Sequence, residues 1–408
     1  MVSLFGYGKT TKSIAIFLKE KNIKTVIYDN IEKEFVDENG ILHKPFNCFD
    51  PNSSSLEIPS PGIPPSHFAI KKAKNLISEY DLFLYDPLNL FDKKPFTIWI
   101  SGTNGKTTTT QMIEHILKDK NAMSGGNIGT PLAMLDRDAK IWILETSSFT
   151  IHYTKYAKPN LYILLPVSED HISWHGSYSE YKDAKTKPIK MLNEGEVCII
   201  PKEFKDISSY GYKIIYENSE DIANFFNFDI KKIEFKEPFL LDALLSLSVS
   251  KILFDEENFE KINSFKMAPH KLEEFYDLQN RLWVDDSKAT NIDATIWALQ
   301  RYKNKKIYLI LGGDAKGADL KPLFKILKDL NIRIYAIGKE GKNIENLSKK
   351  YKIECENTIF LENAVKKIKN LLKKDEVALL SPACASLDQF SSYKERGEKF
   401  KKFVLSQI

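Results

Sequence analysis

The stretch "IWISGTNGKTTTTQMIEHIL", residues 98–117, runs from an apolar strand pattern through a glycine-flanked lysine into four consecutive threonines. Ile98, Trp99 and Ile100 read as a buried strand, while Met112, Ile113, Ile116 and Leu117 share one face of a helix. Ser101 to Gly105 is then the turn between them. Strand, glycine turn and helix N-terminus make an anion site, because the first N–H groups of a helix lack partners within it and its peptide dipoles favour negative charge. Gly102 and Gly105 let the backbone approach a phosphate closely, with Thr103 and Asn104 between them. Lys106 reaches the terminal phosphates, and Thr107, followed by Thr108, offers a hydroxyl to magnesium. The pattern is a shortened form of G-x-x-x-x-G-K-[ST], since Ile100 stands where the first glycine belongs.

Outward from this loop, "FTIWI", "KIWILE", "LYILLPV" and "EVCIIP" alternate with helical patterns, and a second rhythm follows Phe265 with "LWVDDS", "IYLILGG", "IRIYAIG" and "VALLSPA". Such alternation predicts parallel sheets flanked by helices, with ligands at the C-terminal ends of the strands. Upstream, a strand at residues 2–5, the Gly6-Tyr7-Gly8 turn, a helix near Lys9–Lys21 and a strand at 25–28 ending in Asp29 form a β-turn-α-β opening. It is an incomplete dinucleotide fingerprint, with Thr11 at the third glycine position. The expectation is an α/β protein of three domains. A Rossmann-like domain spans residues 1–92, a central domain with a P-loop ATPase-type parallel sheet spans 93–266, and a Rossmann-like α/β domain spans 267–408.

Hydrophobic residues make up 43% of the 408-residue chain and charged residues 28%, the composition of an ordinary globular protein. No apolar run approaches the roughly 20 residues that span a membrane, and the N-terminus lacks a signal-peptide pattern. A cytoplasmic protein without membrane contact is expected. Cys48, Cys198, Cys355 and Cys384 show no C-x-x-C spacing, which argues against a disulfide framework or a cysteine zinc site and for reduced thiols. The net charge is only +4, and arginine is confined to Arg137, Arg281, Arg301, Arg333 and Arg396, so no nucleic-acid surface is expected.

Two strand patterns end in chemistry: "KIWILE" in Glu145, and "LYILLPV" in the run Ser168-Glu169-Asp170-His171. Both emerge at the edge that carries the phosphate loop. Magnesium takes hard oxygen ligands and few protein groups, so Thr107 is assigned one ion, and Glu145 and His171 a second. "GGNIGTPL" at 125–132 reads as a further glycine turn, carrying Asn127. "DDSKATN" at 285–291, "LGGDAKGADL" at 311–320 and "SPACASLDQFSSYKERG" at 381–397 each place lysine or hydroxyl groups at a strand end. Together they predict a small anionic ligand facing the phosphate loop across a cleft.

These motifs, with "LETSSF", "EDHISWHGSYSEYKDAK" and "PHKLE", closely resemble the Mur ligase family, and "DDSKATN", "LGGDAKGADL" and "SPACASLDQFSSYKERG" resemble those of its D-glutamate-adding members. The resemblance covers the middle and C-terminal domains; the N-terminal domain matches through "SPGIP" and the opening turn. It implies an ATP-dependent amide ligase that joins D-glutamate to UDP-N-acetylmuramoyl-L-alanine through an acyl phosphate, in cell-wall precursor synthesis. A monomer using ATP and two Mg2+ ions is implied.

Residue by residue, Lys106 is similar to the family's phosphate-loop lysine, and Thr107, Glu145 and His171 to its metal ligands. Lys185 resembles its carbamylated lysine, a further anionic ligand. Lys271 and Asp286 correspond to ATP contacts. Lys288, Thr290, Lys316, Ser386 and Tyr393 fall at the D-glutamate site, and Gly8, Lys9, Asp29, Gly62 and Asn127 at the UDP-substrate site. Departures from the family are His270-Lys271 in place of His-Arg, Phe239 and Asp242 where adenine-contacting amides are expected, and Tyr393 where phenylalanine is frequent. Another member of the same superfamily, such as a diamino-acid-adding Mur ligase or a folylpolyglutamate synthase, is the near alternative. A regulatory nucleotide switch is the distant one, opposed by the lack of an N-K-x-D motif.

Overall fold

The computed structural model describes residues 1–406, which form three mostly parallel sheets flanked by helices. The first sheet contains β1 (Val2–Phe5), β2 (Thr25–Asp29), β3 (Phe35–Val36), β4 (Leu42–Pro45) and β5 (Leu56–Pro59), in the order β3-β4-β2-β1-β5. Only the β3–β4 pair in it is antiparallel. The helix Lys9–Glu20 follows β1 and buries Thr11, Ile14, Ala15 and Leu18, one face at helical spacing. Thr11 explains the missing third glycine. Its hydroxyl donates to the Gly6 carbonyl at 2.6 Å and accepts from the Gly8 N–H at 3.0 Å, closing the turn on itself.

The second sheet is wholly parallel: β6 (Phe96–Ser101), β7 (Ala122–Gly126), β8 (Ile141–Glu145), β9 (Leu161–Leu164), β10 (Val197–Pro201) and β11 (Tyr212–Tyr216), ordered β11-β10-β9-β6-β8-β7. The chain leaves β6 toward β7 on one side and returns to β9 on the other. The end of β6 is thus the switch point where ligands of such sheets bind. The "GGNIGTPL" segment is not all turn, because Gly125 and Gly126 close β7 and the bend begins at Asn127. Strands β6, β8 and β9 are buried along almost their whole length, which is why they read as unbroken apolar runs.

Residues Met1–Phe265 form one compact unit and the chain from Lys266 onward another. Within the first unit, the two sheets share a hydrophobic core in which Leu4, Ile27 and Ile58 join Phe83, Trp99, Trp142 and Leu144. Arg137 lies across the aromatic part of it, 4.1 Å from the Phe91 ring centroid, 4.6 Å from Trp142 and 4.7 Å from Phe83. Asp81, fully buried, accepts backbone N–H bonds from Ser78, Lys155, Tyr156 and Ala157 at 2.7–3.0 Å.

The second unit holds β12 (Glu273–Tyr276), β13 (Leu282–Asp285), β14 (Ile307–Gly312), β15 (Ile332–Ile337), β16 (Glu354–Ile359) and β17 (Val377–Leu380), ordered β12-β13-β17-β14-β15-β16. Only β12 runs antiparallel to its neighbour. Its core packs Trp283, Tyr308, Ile310 and Tyr335 against Phe400 and Val404 of the helix Tyr393–Leu405. No helix among the described residues is long and apolar enough to cross a membrane.

Asp81→Ala should destabilise the first unit by about 3 kcal/mol or more, since it strands several buried N–H donors that each cost about 1–3 kcal/mol unpaired. Urea unfolding followed by tryptophan fluorescence measures this. A loss below about 1 kcal/mol would show that the carboxylate does not anchor the Lys155–Ala157 segment.

Candidate active site

The strand, glycine turn and helix of the expected phosphate loop form where the sequence pattern places them. Gly105 precedes the helix Lys106–Ile116 at φ +84°, a left-handed conformation that favours glycine, and has no side chain to satisfy the first N–H groups of the helix. A Cβ there would lie 2.6 Å from Asp242 Oδ1. Lys106 folds back over the loop and donates to the Gly102 and Thr103 carbonyls at 2.9 and 2.8 Å. The Thr103 side chain is turned into the protein. Its hydroxyl contacts the Ser168 carbonyl and the Tyr181 hydroxyl at 3.1 and 3.0 Å and accepts the Ser168 N–H. Thr103 therefore ties the phosphate loop to the segment after β9 that leads to His171, a role that its sequence position alone does not reveal. Thr108 is buried, while Asn104 and Thr107 are half-buried at the loop.

Lys185 projects from the helix Tyr178–Met191 to the root of the same loop, with 1% of its surface exposed. Its amine donates to the Gly102 carbonyl at 2.7 Å and to Ser101 Oγ at 3.3 Å. Burial lowers its pKa well below that of an ordinary lysine and the nearby Lys106 charge lowers it further, against smaller opposing effects of Asp170 and Glu145. The two lysines share the Gly102 carbonyl, so a neutral amine at Lys185 relieves a repulsion as well as a desolvation penalty.

Glu145, at the end of β8, is buried, and its Oε1 accepts from Asn127 Nδ2 at 2.7 Å. Its Oε2 is buried and has no hydrogen-bond partner among the described residues. An unbonded carboxylate oxygen beside a phosphate loop fits a cation better than it fits an apolar core. Asn127 is thereby engaged with Glu145, whereas the sequence reading set it at the UDP substrate. His171 lies half-exposed, with Nε2 3.6 Å from Asp170 Oδ2 and its ring 4.8 Å from Phe149. His175 was not singled out by the sequence pattern. It is buried against Ser148, and burial, then the charges of His152, His171 and Lys185, lower its pKa to about 4.

Toward the first sheet, Gly8 starts the helix Lys9–Glu20, and the Lys9 amine donates to the Gly129 carbonyl. Asp29 ends β2 and accepts the Asn30 N–H, and the Gly62 carbonyl accepts from Trp174 Nε1 at 3.2 Å. Asp242 is buried and accepts from Thr109 Oγ1 at 2.9 Å, while Phe239 begins the helix Phe239–Phe254.

In the second unit, Lys288 and Thr290 follow β13, Ser386 and Tyr393 follow β17, and Lys316 follows β14, three adjacent parallel strands. The three motifs therefore share one sheet edge. Lys288 Nζ stands 4.2 Å from the Tyr393 ring centroid. Lys316 and Thr290 are exposed and Ser386 is buried. Arg396 binds the loops together from beneath, donating to Ser287 Oγ, the Ser287 carbonyl and the Cys384 carbonyl at 2.8–3.2 Å. Lys271 lies between His270 and Leu272, both at positive φ. His270, Glu273 and Asp285 bring ligand atoms within 4.8 Å of one another. These atoms are already engaged, however, with His270 Nδ1 on Asp285 at 2.7 Å and Glu273 holding the His270 N–H and the Lys401 amine.

Residues 100–243 match the family model described as the Mur ligase middle domain. Over 405 residues, 99% of both chains, the sequence is 53% identical to a UDP-N-acetylmuramoylalanine–D-glutamate ligase of Campylobacter jejuni. It is 46% identical over 422 residues, again 99% of both chains, to the enzyme of the same name from Helicobacter pylori. Among solved structures it is similar to MurF ligase from Thermotoga maritima in complex with ADP, with a TM-score of 0.61, 15% identity, and coverage of 99% of this chain and 93% of that one. That likeness speaks for the fold.

Asp286, just after β13, accepts from Ser381 Oγ at 2.7 Å and the Leu272 N–H at 3.2 Å. Burial raises its pKa to about 8 despite these bonds, and Asp285 adds to the rise. A raised carboxyl pKa means that the folded state binds the proton more tightly, so its stabilising contribution is full below about pH 4 and is lost as the pH rises through about 8. The thermal midpoint of the second unit should fall between pH 5 and 8.5, and Asp286→Asn should flatten that slope. Calorimetry giving identical slopes for the two proteins would contradict this.

Proposed function

The chain belongs to the UDP-N-acetylmuramoylalanine–D-glutamate ligases of the Mur ligase family, and we propose a division of labour among its residues on that basis. The protein is an ATP-dependent ligase that adds D-glutamate to UDP-N-acetylmuramoyl-L-alanine in peptidoglycan synthesis. The observation that carries our residue assignment is the buried amine of Lys185 on the Gly102 carbonyl, beside Lys106 and in the field of Glu145.

The γ-phosphoryl group of ATP passes to the carboxylate of the L-alanine residue, forming a carboxylate O–P bond and breaking the bond to ADP. The D-glutamate amine then attacks the acyl carbon, phosphate leaves, and the amine loses a proton. No covalent enzyme intermediate is needed, so the protein contributes positioning and charge neutralisation. The phosphates rest on the loop Gly102–Thr108 and the N-terminus of its helix, with Lys106 swinging from the loop carbonyls to the transferring group. Thr107, Glu145 and His171 are suited to hold two Mg2+ ions, which would supply neutralisation of the phosphate charge. A neutral Lys185 amine can add CO2, and the resulting carbamate would join this ligand set as an anion. Lys271 and Asp286 contact the nucleotide, Lys271 as a point charge without the forked geometry of arginine. Gly8, Lys9, Asp29 and Gly62 serve the UDP-linked substrate, and Lys288, Thr290, Lys316, Ser386 and Tyr393 hold D-glutamate, with Lys316 on a carboxylate. We place the enzyme in the cytoplasm as a monomer.

Coupled ADP release with UDP-N-acetylmuramoyl-L-alanine should occur with D-glutamate and be absent with L-glutamate and diaminopimelate. Turnover with diaminopimelate instead would move the specificity, and silence with all three would remove the reading.

Exhaustive removal of CO2 should lower activity at least about tenfold, because a metal ligand is lost, and bicarbonate should restore it. A protein-bound carbamate carbon should appear by NMR with labelled bicarbonate and vanish in Lys185→Arg. Full activity without CO2, together with no carbamate signal, would exclude the modification.

A further inference from the structure

Residues 79–81, which the reaction scheme leaves unused, grip three strand-end segments of the second sheet in succession. Glu79 Oε1 accepts the Leu132 N–H at 2.7 Å, at the far end of the bend that leaves β7. Tyr80 donates its hydroxyl to the Glu145 carbonyl at 3.3 Å, shares a hydrogen bond with Thr146 Oγ1 at 3.2 Å, and packs edge-on against Trp99 at 4.8 Å. Asp81 takes the N–H groups of Lys155, Tyr156 and Ala157.

Between the Glu79 and Tyr80 contacts lies the bend that carries Asn127. Its backbone N–H donates to the same Glu145 carbonyl at 2.8 Å, and its side chain donates to Glu145 Oε1 at 2.7 Å. There is no slack in this arrangement. A Cβ on Gly126 would lie 2.7 Å from Tyr80 Oη and 2.6 Å from the Glu145 carbonyl oxygen. Glu145 is therefore braced at its backbone by Tyr80 and Asn127 and at one carboxylate oxygen by Asn127, whose loop is anchored by Glu79. The other carboxylate oxygen has no hydrogen bond among the described residues.

We propose that Glu79 and Tyr80 are positioning residues for the metal-binding carboxylate: by fixing the bend after β7 and the end of β8, they hold Glu145 with one oxygen bonded to Asn127 and the other left for a divalent cation. This deepens the function proposed above and rests on it. Both residues are buried and their hydrogen bonds go to Leu132, Glu145 and Thr146, so they act through Asn127 and Glu145. Partners that orient a metal ligand in this way are worth about 10- to 100-fold in metal affinity.

The test uses the full-length protein with a non-hydrolysable ATP analogue and Mn2+ as the probe, counting free Mn2+ by electron paramagnetic resonance. Tyr80→Phe keeps the ring and loses the hydroxyl; Glu79→Gln keeps the shape but replaces one of the two carboxylate oxygens that serve the Leu132 and Ala133 N–H groups with an N–H donor. Each should weaken Mn2+ binding about tenfold and raise the Mg2+ concentration for half-maximal ADP release by a similar factor, with KM for D-glutamate unchanged. Glu145→Gln is the reference and should remove the same Mn2+ site. If Glu145→Gln binds Mn2+ like the unmodified protein, the metal role of Glu145 fails and the proposal with it. If Glu145→Gln loses the site while Tyr80→Phe and Glu79→Gln both retain full affinity, the proposal is overturned and the function stands. A loss of Mn2+ binding that follows only the unfolded fraction of each variant, measured by thermal melts, would also overturn it.

Discussion

The amine of Lys185, buried 2.7 Å from the Gly102 carbonyl, imposes a charge problem around which the phosphate loop is arranged. Lys106 uses the same carbonyl, so two cations would compete for one acceptor with little water to screen them. A triphosphate offers Lys106 a better partner, and moving it outward leaves the Gly102 carbonyl to Lys185. Conversion of Lys185 to a carbamate, as proposed, would go further, placing negative charge beside Lys106 and the groups proposed to hold the metal. Either outcome ties the protonation of a residue on the helix Tyr178–Met191 to the occupancy of a loop after β6, elements that are distant in sequence.

The parts of this arrangement that were legible in the sequence have local causes. Gly102 to Lys106 is readable because a turn between a buried strand and a helix needs glycine, and an anion needs the helix N-terminus. Strands β6, β8 and β9 announce themselves because burial on both faces removes polar residues from them. Strand β7 did not, since Ala122–Gly126 contains two glycines and is held in place by pairing with β8 rather than by its own propensity. Edge strand β16, with the polar sequence ECENTI, was silent for a related reason: an edge needs no apolar alternation. Glu79, Tyr80 and Asp81 were illegible in principle. Their partners are mostly backbone groups of Leu132, Glu145 and Lys155–Ala157, which have no residue type to read and meet the segment only after folding.

Asp242 shows how a departure from a family pattern can be absorbed by the fold. An asparagine there would present both a donor and an acceptor, while the carboxylate only accepts. It accepts from Thr109, within the first turns of the helix that follows the phosphate loop. Negative charge is favourable at that end of a helix, and the close fit against Gly105 leaves the carboxylate little freedom to reach a base. The hydroxyl of Thr109 and the carboxylate of Asp242 thus form a matched pair beside the loop backbone.

The shared core of the first two sheets bears on catalysis as directly as any polar residue. Leu4 and Ile58 of one sheet pack in the same cluster as Trp99 and Leu144 of the other, and Arg137 spans aromatic side chains from both parts. At the working end, Lys9 at the start of the first helix bonds to the Gly129 carbonyl, in the bend that also carries Asn127. A reaction that begins with transfer between two bound substrates gains most from a fixed geometry between their sites, since each lost degree of relative freedom is settled before the chemistry begins. On the assignment we propose, joining the sheet that serves the UDP portion to the sheet that serves ATP through one packed core supplies that geometry from apolar burial, and leaves the polar groups at the strand ends to the charge.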